Sequence, residues 1–294
     1  MQFLKVHGAG NDFILLPDLD DRLPLAPGLV RALCDRHLGL GADGVIRVAP
    51  SRDGIDADVF MDYWNADGTV AEMCGNGVRC VAKYVADRSP SHPDIVTVDT
   101  RAGTKPVWCE RGADGRVARA RVDMGAPSLT GKVELDVSPT RLEPPGPGLS
   151  WMATAERRLV TATTLSMGNP HAVLVVDDVA SAPVAWWGPL IEHDEAFPDG
   201  TNVEFIAAAG PDRVSGRIWE RGVGETQASG TGASAMAVAA HVLGLAGRQV
   251  RVELPGGELD IDWAEETLFV TGPAVEVGAG ELDEDWLATA GATA

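Results

Sequence analysis

The stretch Asn65-Ala-Asp-Gly-Thr-Val-Ala-Glu-Met-Cys-Gly-Asn-Gly-Val-Arg-Cys80 decides how this chain is read. It joins a turn, an acid, a thiol and a Gly-Asn-Gly, then enters the helical spacing Val78, Val81, Ala82, Val85. Cys74 therefore stands where a loop becomes a helix. Amides of a first helical turn lack intrahelical acceptors and carry the positive end of the helix dipole. They favour a thiolate over a thiol, and a carboxylate equally well. Gly75 and Gly77 remove the Cβ that would keep a ligand off the backbone. Alone, a cysteine beside glycines is more often a small buried residue next to a turn.

A second copy changes that balance. Ser229-Gly-Thr-Gly-Ala-Ser-Ala235 repeats the spacing of Cys74-Gly-Asn-Gly-Val-Arg-Cys80 with serine for the first cysteine. Another apolar run follows: Ala235, Met236, Val238, Ala239, Val242 and Leu243. Two matched loop-to-helix junctions predict two related halves that face one ligand.

At 294 residues the chain is long enough for about two domains. A net charge of −19 argues against nucleic acid and anionic membrane as partners. The four cysteines, Cys34, Cys74, Cys80 and Cys109, form no CxxC pair and no zinc spacing, so no metal is expected. The N-terminus lacks the charged-then-apolar order of a signal peptide, and the longest apolar run, Ala233 to Leu245, is too short to span a bilayer. These features predict a cytoplasmic setting with free thiols.

Strands are predicted at Phe3 to Val6, Phe13 to Leu16, Val45 to Val48, Asp58 to Tyr63, Ile95 to Asp99, Pro106 to Glu110 and Val117 to Asp123. A helix is predicted from Pro27 to His37. Met124-Gly-Ala-Pro127 breaks the pattern, and Pro139 to Gly148 reads as a proline-rich surface loop. Further strands are expected at Leu159 to Leu165, Ala172 to Val176, Thr201 to Ile206, Gly216 to Glu220, Val250 to Leu254, Glu258 to Trp263 and Thr267 to Val270, with Val179 to Glu195 irregular or helical. The halves are drawn as residues 1–127 with 274–294, carrying Cys74, and 128–273, carrying Ser229.

Asn65-Ala-Asp-Gly…Met-Cys-Gly-Asn-Gly-Val-Arg-Cys80 resembles the first signature of the diaminopimelate epimerase family, and Arg221-Gly-Val-Gly-Glu-Thr…Gly-Thr-Gly232 the second. His7-Gly-Ala-Gly-Asn-Asp-Phe13, Gly168-Asn-Pro-His171 and Thr201-Asn-Val-Glu204 match further family segments in order, over nearly the whole chain. The resemblance implies an α/β (α+β) fold of two pseudo-symmetric domains. Each wraps mixed, mostly antiparallel strands around a central helix, with the active site in the cleft between them. It implies a homodimer that interconverts LL- and meso-diaminopimelate, on the route to lysine, without cofactor or metal. Two thiols would act on opposite faces of the substrate α-carbon.

Carried over by motif, Cys74 is one of that pair. Gly75, Asn76, Gly230 and Thr231 would hold the reacting carboxylate. Asn11, Asn65, Asn169, Asn202 and Arg221 would bind the polar groups, chiefly at the distal end. Glu220 and His171 would orient the reacting amine.

Position 229 departs from the family pattern, which has its second cysteine there. A serine hydroxyl is a much weaker acid than a thiol and needs an adjacent base. The expected loss on that face is ~3–5 kcal/mol of barrier. Serine is also a favoured helix N-cap, so fold and binding should survive the change. Three readings stay open at this stage: an impaired or one-base epimerase, a paralogue using Cys74 for another racemisation, isomerisation or elimination, and a silent amino-acid binder.

Overall fold

The computed structural model describes residues 1–138 and 158–290. The loop expected at Pro139 to Gly148 lies outside the described residues. The chain forms two compact units, Met1–Asp123 with Phe269–Ala294, and Met124–Leu268. These divisions fall a few residues before those drawn from the sequence.

In the first unit, β1 (Gln2–Gly8) and β2 (Asn11–Pro17) form an antiparallel hairpin, with Val6 opposite Phe13. Its two-residue turn, Ala9-Gly10, has both φ angles positive, at 53° and 83°. That is the turn whose twist matches a hairpin, and Gly10 adopts it without strain. A crossover through α1 (Pro27–Cys34) leads to β3 (Gly44–Ala49), parallel to β2. β4 (Val59–Asn65) returns antiparallel to β3. A second crossover, α2 (Gly75–Arg88), leads to β5 (Ile95–Asp99), parallel to β4. β6 (Lys105–Arg111) and β7 (Val117–Gly125) continue antiparallel. α2 packs against β1, β2, β4, β5 and β6. Its residues from Gly75 to Lys83 are all buried, as a helix enclosed by strands requires.

The second unit repeats this topology after an added strand. β8 (Ser128–Asp136) pairs antiparallel with β9 (Leu159–Ser166), and β9 with β10 (Pro170–Val175). α3 (Val184–Glu192) crosses to β11 (Asn202–Gly210), parallel to β10, and β12 (Arg213–Glu220) returns antiparallel. Short β13 (Gly224–Thr226) pairs with the far end of β12. α4 (Gly230–Val242) crosses to β14 (Gln249–Leu254), parallel to β12, and β15 (Gly257–Trp263) follows antiparallel. Both α2 and α4 thus connect two parallel strands and are enclosed by their own unit's sheet. α4 is apolar all round, with Ala233 to Ala240 buried throughout. β16 (Leu268–Pro273) and β17 (Val275–Glu281) follow, β17 pairing with β1, and α5 (Glu284–Ala290) packs on α1. The fold is a mixed α+β one, dominated by sheet, as the resemblance implies.

Several elements differ from the sequence reading. α1 stops at Cys34 rather than His37, because the Asp35 carboxylate takes the His37 and Leu38 amides at 2.7 Å each and ends the helical ladder. β8, β13, β17 and α5 carry no clear pattern in the sequence. β17 holds Gly278 and Gly280, which depress strand propensity, yet a Cβ at Gly280 would lie 2.9 Å from the Phe3 ring. Among the described residues no helix is long and apolar enough to cross a membrane.

Candidate functional site

In the first unit the site grows from the start of α2. Cys74 is its N-cap, with extended backbone (φ −137°, ψ 120°), and Sγ accepts the Gly77 amide at 3.5 Å. The thiol also lies 3.7 Å from Asn11 Oδ1, to which it can donate. Asn76 Nδ2 donates to the same oxygen at 3.0 Å, and Asn11 Nδ2 donates to Asp43 Oδ2 at 2.8 Å. Cys74, Asn11 and Asn76 are therefore one cluster. Asn65 ends β4 and closes the turn before the motif, its Nδ2 donating to the Thr69 hydroxyl at 3.1 Å.

Cys74 is partly exposed, whereas Cys34, Cys80 and Cys109 are buried. Burial pushes the thiols of Cys34 and Cys80 up to about 12 and that of Cys109 to about 11, so these three stay protonated and inert. Gly77 plays a different part from the one the sequence suggests. A Cβ there would meet Met61 Cε at 2.8 Å and Ile46 Cδ1 at 2.9 Å. It is the glycine that lets the helix start settle onto β3 and β4.

The second unit repeats the junction. Ser229 caps α4 with φ −133° and ψ 133°, and its Oγ accepts the Gly232 amide at 3.3 Å. Its hydroxyl is 3.3 Å from that of Thr231. A Cβ on Gly232 would lie 2.2 Å from Ile218 Cδ1, so this glycine also serves packing.

Around Ser229 lie two acids, Glu220, which is partly buried, and Glu204, which is fully buried. Burial raises the Glu220 carboxyl above the usual carboxylate range, tempered by the Thr226 and Ser229 hydroxyls. Thr226 donates to Glu220 Oε1 at 2.5 Å. His171 is buried with both ring nitrogens facing oxygens: Nδ1 to Glu204 Oε1 at 2.6 Å, and Nε2 to Asn169 Oδ1 at 2.9 Å. Burial raises the Glu204 carboxyl against the pull of His171, and Glu204 Oε2 has no partner among the described residues. A carboxyl proton shared with Nδ1, with Nε2–H given to Asn169, satisfies this arrangement.

Asn202 uses both ends of its amide on the protein. Nδ2 donates to Pro170 O at 2.9 Å, and Oδ1 accepts the Arg221 amide at 3.0 Å. It fixes the backbone of Arg221, whose exposed side chain donates to Asp199 O at 3.0 Å. Glu192 of α3 holds the same turn, taking Trp219 Nε1 at 2.7 Å and the Gly222 amide at 2.8 Å.

The sequence-predicted residues thus form two clusters: Cys74, Gly75, Asn76, Asn11 and Asn65 in one unit, and Ser229, Gly230, Thr231, Glu220, His171, Asn169, Asn202 and Arg221 in the other. Sequence reasoning gave no part to Asp43, Glu192 or Thr226. It quoted Glu204 and Arg79 only as motif letters. For Glu204 a signal existed, an acid between the apolar Val203 and Phe205 of a predicted strand.

The chain matches known proteins over most of its length. The family model for diaminopimelate epimerase matches residues 3–130 and 163–277. The chain is 44% identical over 290 residues to a diaminopimelate epimerase of Moorella thermoacetica, covering 94% of this chain and 97% of that protein. It is 44% identical over 281 residues to the one of Pelotomaculum thermopropionicum, with the same coverage. Among solved structures, a probable proline racemase from Agrobacterium radiobacter K84 shares the fold, with a TM-score of 0.66 at 18% identity, over 97% of this chain and 93% of that one.

Proposed function

The chain belongs to the diaminopimelate epimerase family, and from that premise we propose that it interconverts LL- and meso-diaminopimelate by moving the proton on one α-carbon. Cys74 exchanges the proton on one face of that carbon and Ser229 serves the other. Neither a metal nor a cofactor is called on.

The observation that carries this reading is the pair of capped helix starts. Cys74 and Ser229 have matching extended backbones, and each takes the third amide of its helix on its side-chain heteroatom. The remaining first-turn amides suit the substrate's reacting carboxylate. Removing the α-proton leaves charge that delocalises onto this carboxylate, so these amides stabilise the carbanion more than the ground state. Cys74 as thiolate takes the proton from one face. Ser229 returns one to the other, and the neighbouring Glu220 carboxyl is the group able to refill the hydroxyl. Because a hydroxyl is a far weaker acid than a thiol, the Ser229 face is the slow one.

His171 and Glu220 orient the reacting amine. Asn65, Asn169 and Arg221 read the distal amino-acid head group, with Asn202 fixing the backbone of Arg221. A cytoplasmic homodimer belongs to the same proposal, and sedimentation of the purified chain tests the dimer.

The test is incubation of the chain with LL-diaminopimelate, followed by chiral chromatography. The meso form should appear slowly, and Cys74→Ala should abolish it. Alanine, lacking the distal head group, should bind far more weakly. Arg221→Ala should cost diaminopimelate binding ~2 kcal/mol and leave alanine nearly unaffected. Equal calorimetric affinities for alanine and diaminopimelate would overturn the specificity. Release of ammonia or water in place of the meso form would move the chain to an elimination.

A further inference from the structure

Among the described residues Arg79 is the largest fully buried side chain, with no exposed surface. Its guanidinium bonds to the first turn of the helix that Cys74 caps. Nη2 donates to Asn76 Oδ1 at 2.6 Å and Nη1 to the Gly75 carbonyl at 3.1 Å, while Nε has no partner among the described residues. Among the described residues no carboxylate pairs with it. Burial lowers Arg79 to about 10, so it stays protonated at neutral pH. Room for it is kept by Gly8, where a Cβ would lie 3.1 Å from Nη2.

Burying a cation without an acid is expensive, and helix architecture does not demand it. The other unit shows this directly. The residue at the same place in the repeat there is Ser234, whose hydroxyl donates to the carbonyl four residues back, Gly230 O, at 2.8 Å. Ser234 does the local work of Arg79 Nη1 with no charge. The buried charge occurs in the unit that carries the thiol and not at the matching place in the unit that carries the hydroxyl.

We propose that Arg79 is a positioning residue that supplies the buried counter-charge of the Cys74 thiolate and orients the asparagines beside it. This rests on the reading of Cys74 as the proton-transfer group. Arg79 can only donate and the Asp43 carboxylate can only accept, so the two amides between them have one orientation each. Asn76 turns Oδ1 to Arg79 and Nδ2 to Asn11, and Asn11 turns Oδ1 to Asn76 and Nδ2 to Asp43. The thiol proton is left a single acceptor in this line, Asn11 Oδ1. The line thus sets where the Cys74 proton points, and the guanidinium sets how readily it leaves. The other ionisable groups acting on Arg79 are the Cys80 thiol, kept neutral by burial, and Arg119 of β7, whose like charge opposes it.

The experiment is the pH dependence of Cys74 alkylation by iodoacetamide, read by peptide mapping, in the unmodified chain, Arg79→Met and Arg79→Lys. The helix start is common to all three; Arg79→Met removes both the charge and its hydrogen bonds, and Arg79→Lys keeps the charge. The unmodified thiol should titrate below the free-cysteine value of ~8.5. Arg79→Met should raise the midpoint by about one pH unit and slow alkylation at neutral pH about tenfold, and Arg79→Lys should restore it. A folded Arg79→Met, with a cooperative melt and the parental midpoint, would overturn the proposal. So would an unmodified midpoint at or above ~8.5, whether or not the variants fold. Alkylation needs no substrate, so either result would leave the epimerase reading standing. A chain with a low, Arg79-dependent midpoint that ignores diaminopimelate would do the reverse.

Discussion

Replacing Ser229 by cysteine isolates the consequence of the missing thiol. The backbone at position 229 (φ −133°, ψ 133°) already matches that of Cys74 (φ −137°, ψ 120°). The cap distance needs to lengthen only from the 3.3 Å of Gly232 N to Oγ towards the 3.5 Å of Gly77 N to Sγ. Sulfur therefore fits without moving α4. Serine caps a helix better than most residues, so Ser229→Cys should lower stability by no more than ~1 kcal/mol. The chemical gain is larger. A well-placed acid–base group contributes ~10²–10⁴-fold, or ~3–5 kcal/mol of barrier. In D₂O, ¹H NMR should show one diaminopimelate isomer losing its α-proton readily in the unmodified chain, through Cys74, and the other much more slowly. Ser229→Cys should speed the slow isomer by ~10²–10⁴-fold, judged against the fast isomer in the same series, with inversion rising in step on chiral chromatography. Brisk, equal exchange of both isomers by the unmodified chain, with no gain in the variant, would refute the reasoning. It would mean that Ser229 and Glu220 already move protons as well as a thiol.

Cys74 should be the cysteine that iodoacetamide labels first, with diaminopimelate protecting it, because burial holds the other three protonated; preferential labelling of Cys34 or Cys109 on peptide mapping would contradict this. Gly232→Ala forces a methyl to within 2.2 Å of Ile218 Cδ1, itself fully buried. Overpacking of ~1–3 kcal/mol, less ~1 kcal/mol of helix propensity, should lower Tm by a few degrees. Gly278→Ala, with open space around it, should leave Tm unchanged in the same calorimeter. Burial alone would raise Asp12, but Arg36 and Lys5 hold it down to about 2. A carboxylate depressed in the folded state stabilises fully above its ordinary range and loses that stabilisation as pH falls from ~4 towards ~2. The contribution is at most about 2.5 kcal/mol. Urea midpoints of the parent and Asp12→Asn should therefore converge between pH 5 and pH 2, and a constant gap would disprove the link.

What the sequence determined by itself was whatever local chemistry enforces. A cysteine or serine followed by Gly-x-Gly and an apolar run, present twice, reads as a loop entering a helix, and both junctions lie at Cys74 and Ser229. Alternating strands and the repeat between halves followed from short-range spacing. Elements without such spacing did not: β17 is a strand because β1 offers it an edge and Phe3 fills the space over Gly280. The site divided the same way. Motif positions named the asparagines, but not how each is used. Asn202 proves to fasten Arg221, Asn65 to close a turn, and Asn11 to lie between Asp43 and Cys74. Gly77, read as making way for a ligand, faces Met61 and Ile46, and Gly232 faces Ile218 in the same way. The weight of Arg79 was invisible in the string of letters. A charge one turn into a helix is ordinary when water reaches it. Only the strands closing over α2 take that water away and turn Arg79 into a fixed charge beside the thiol.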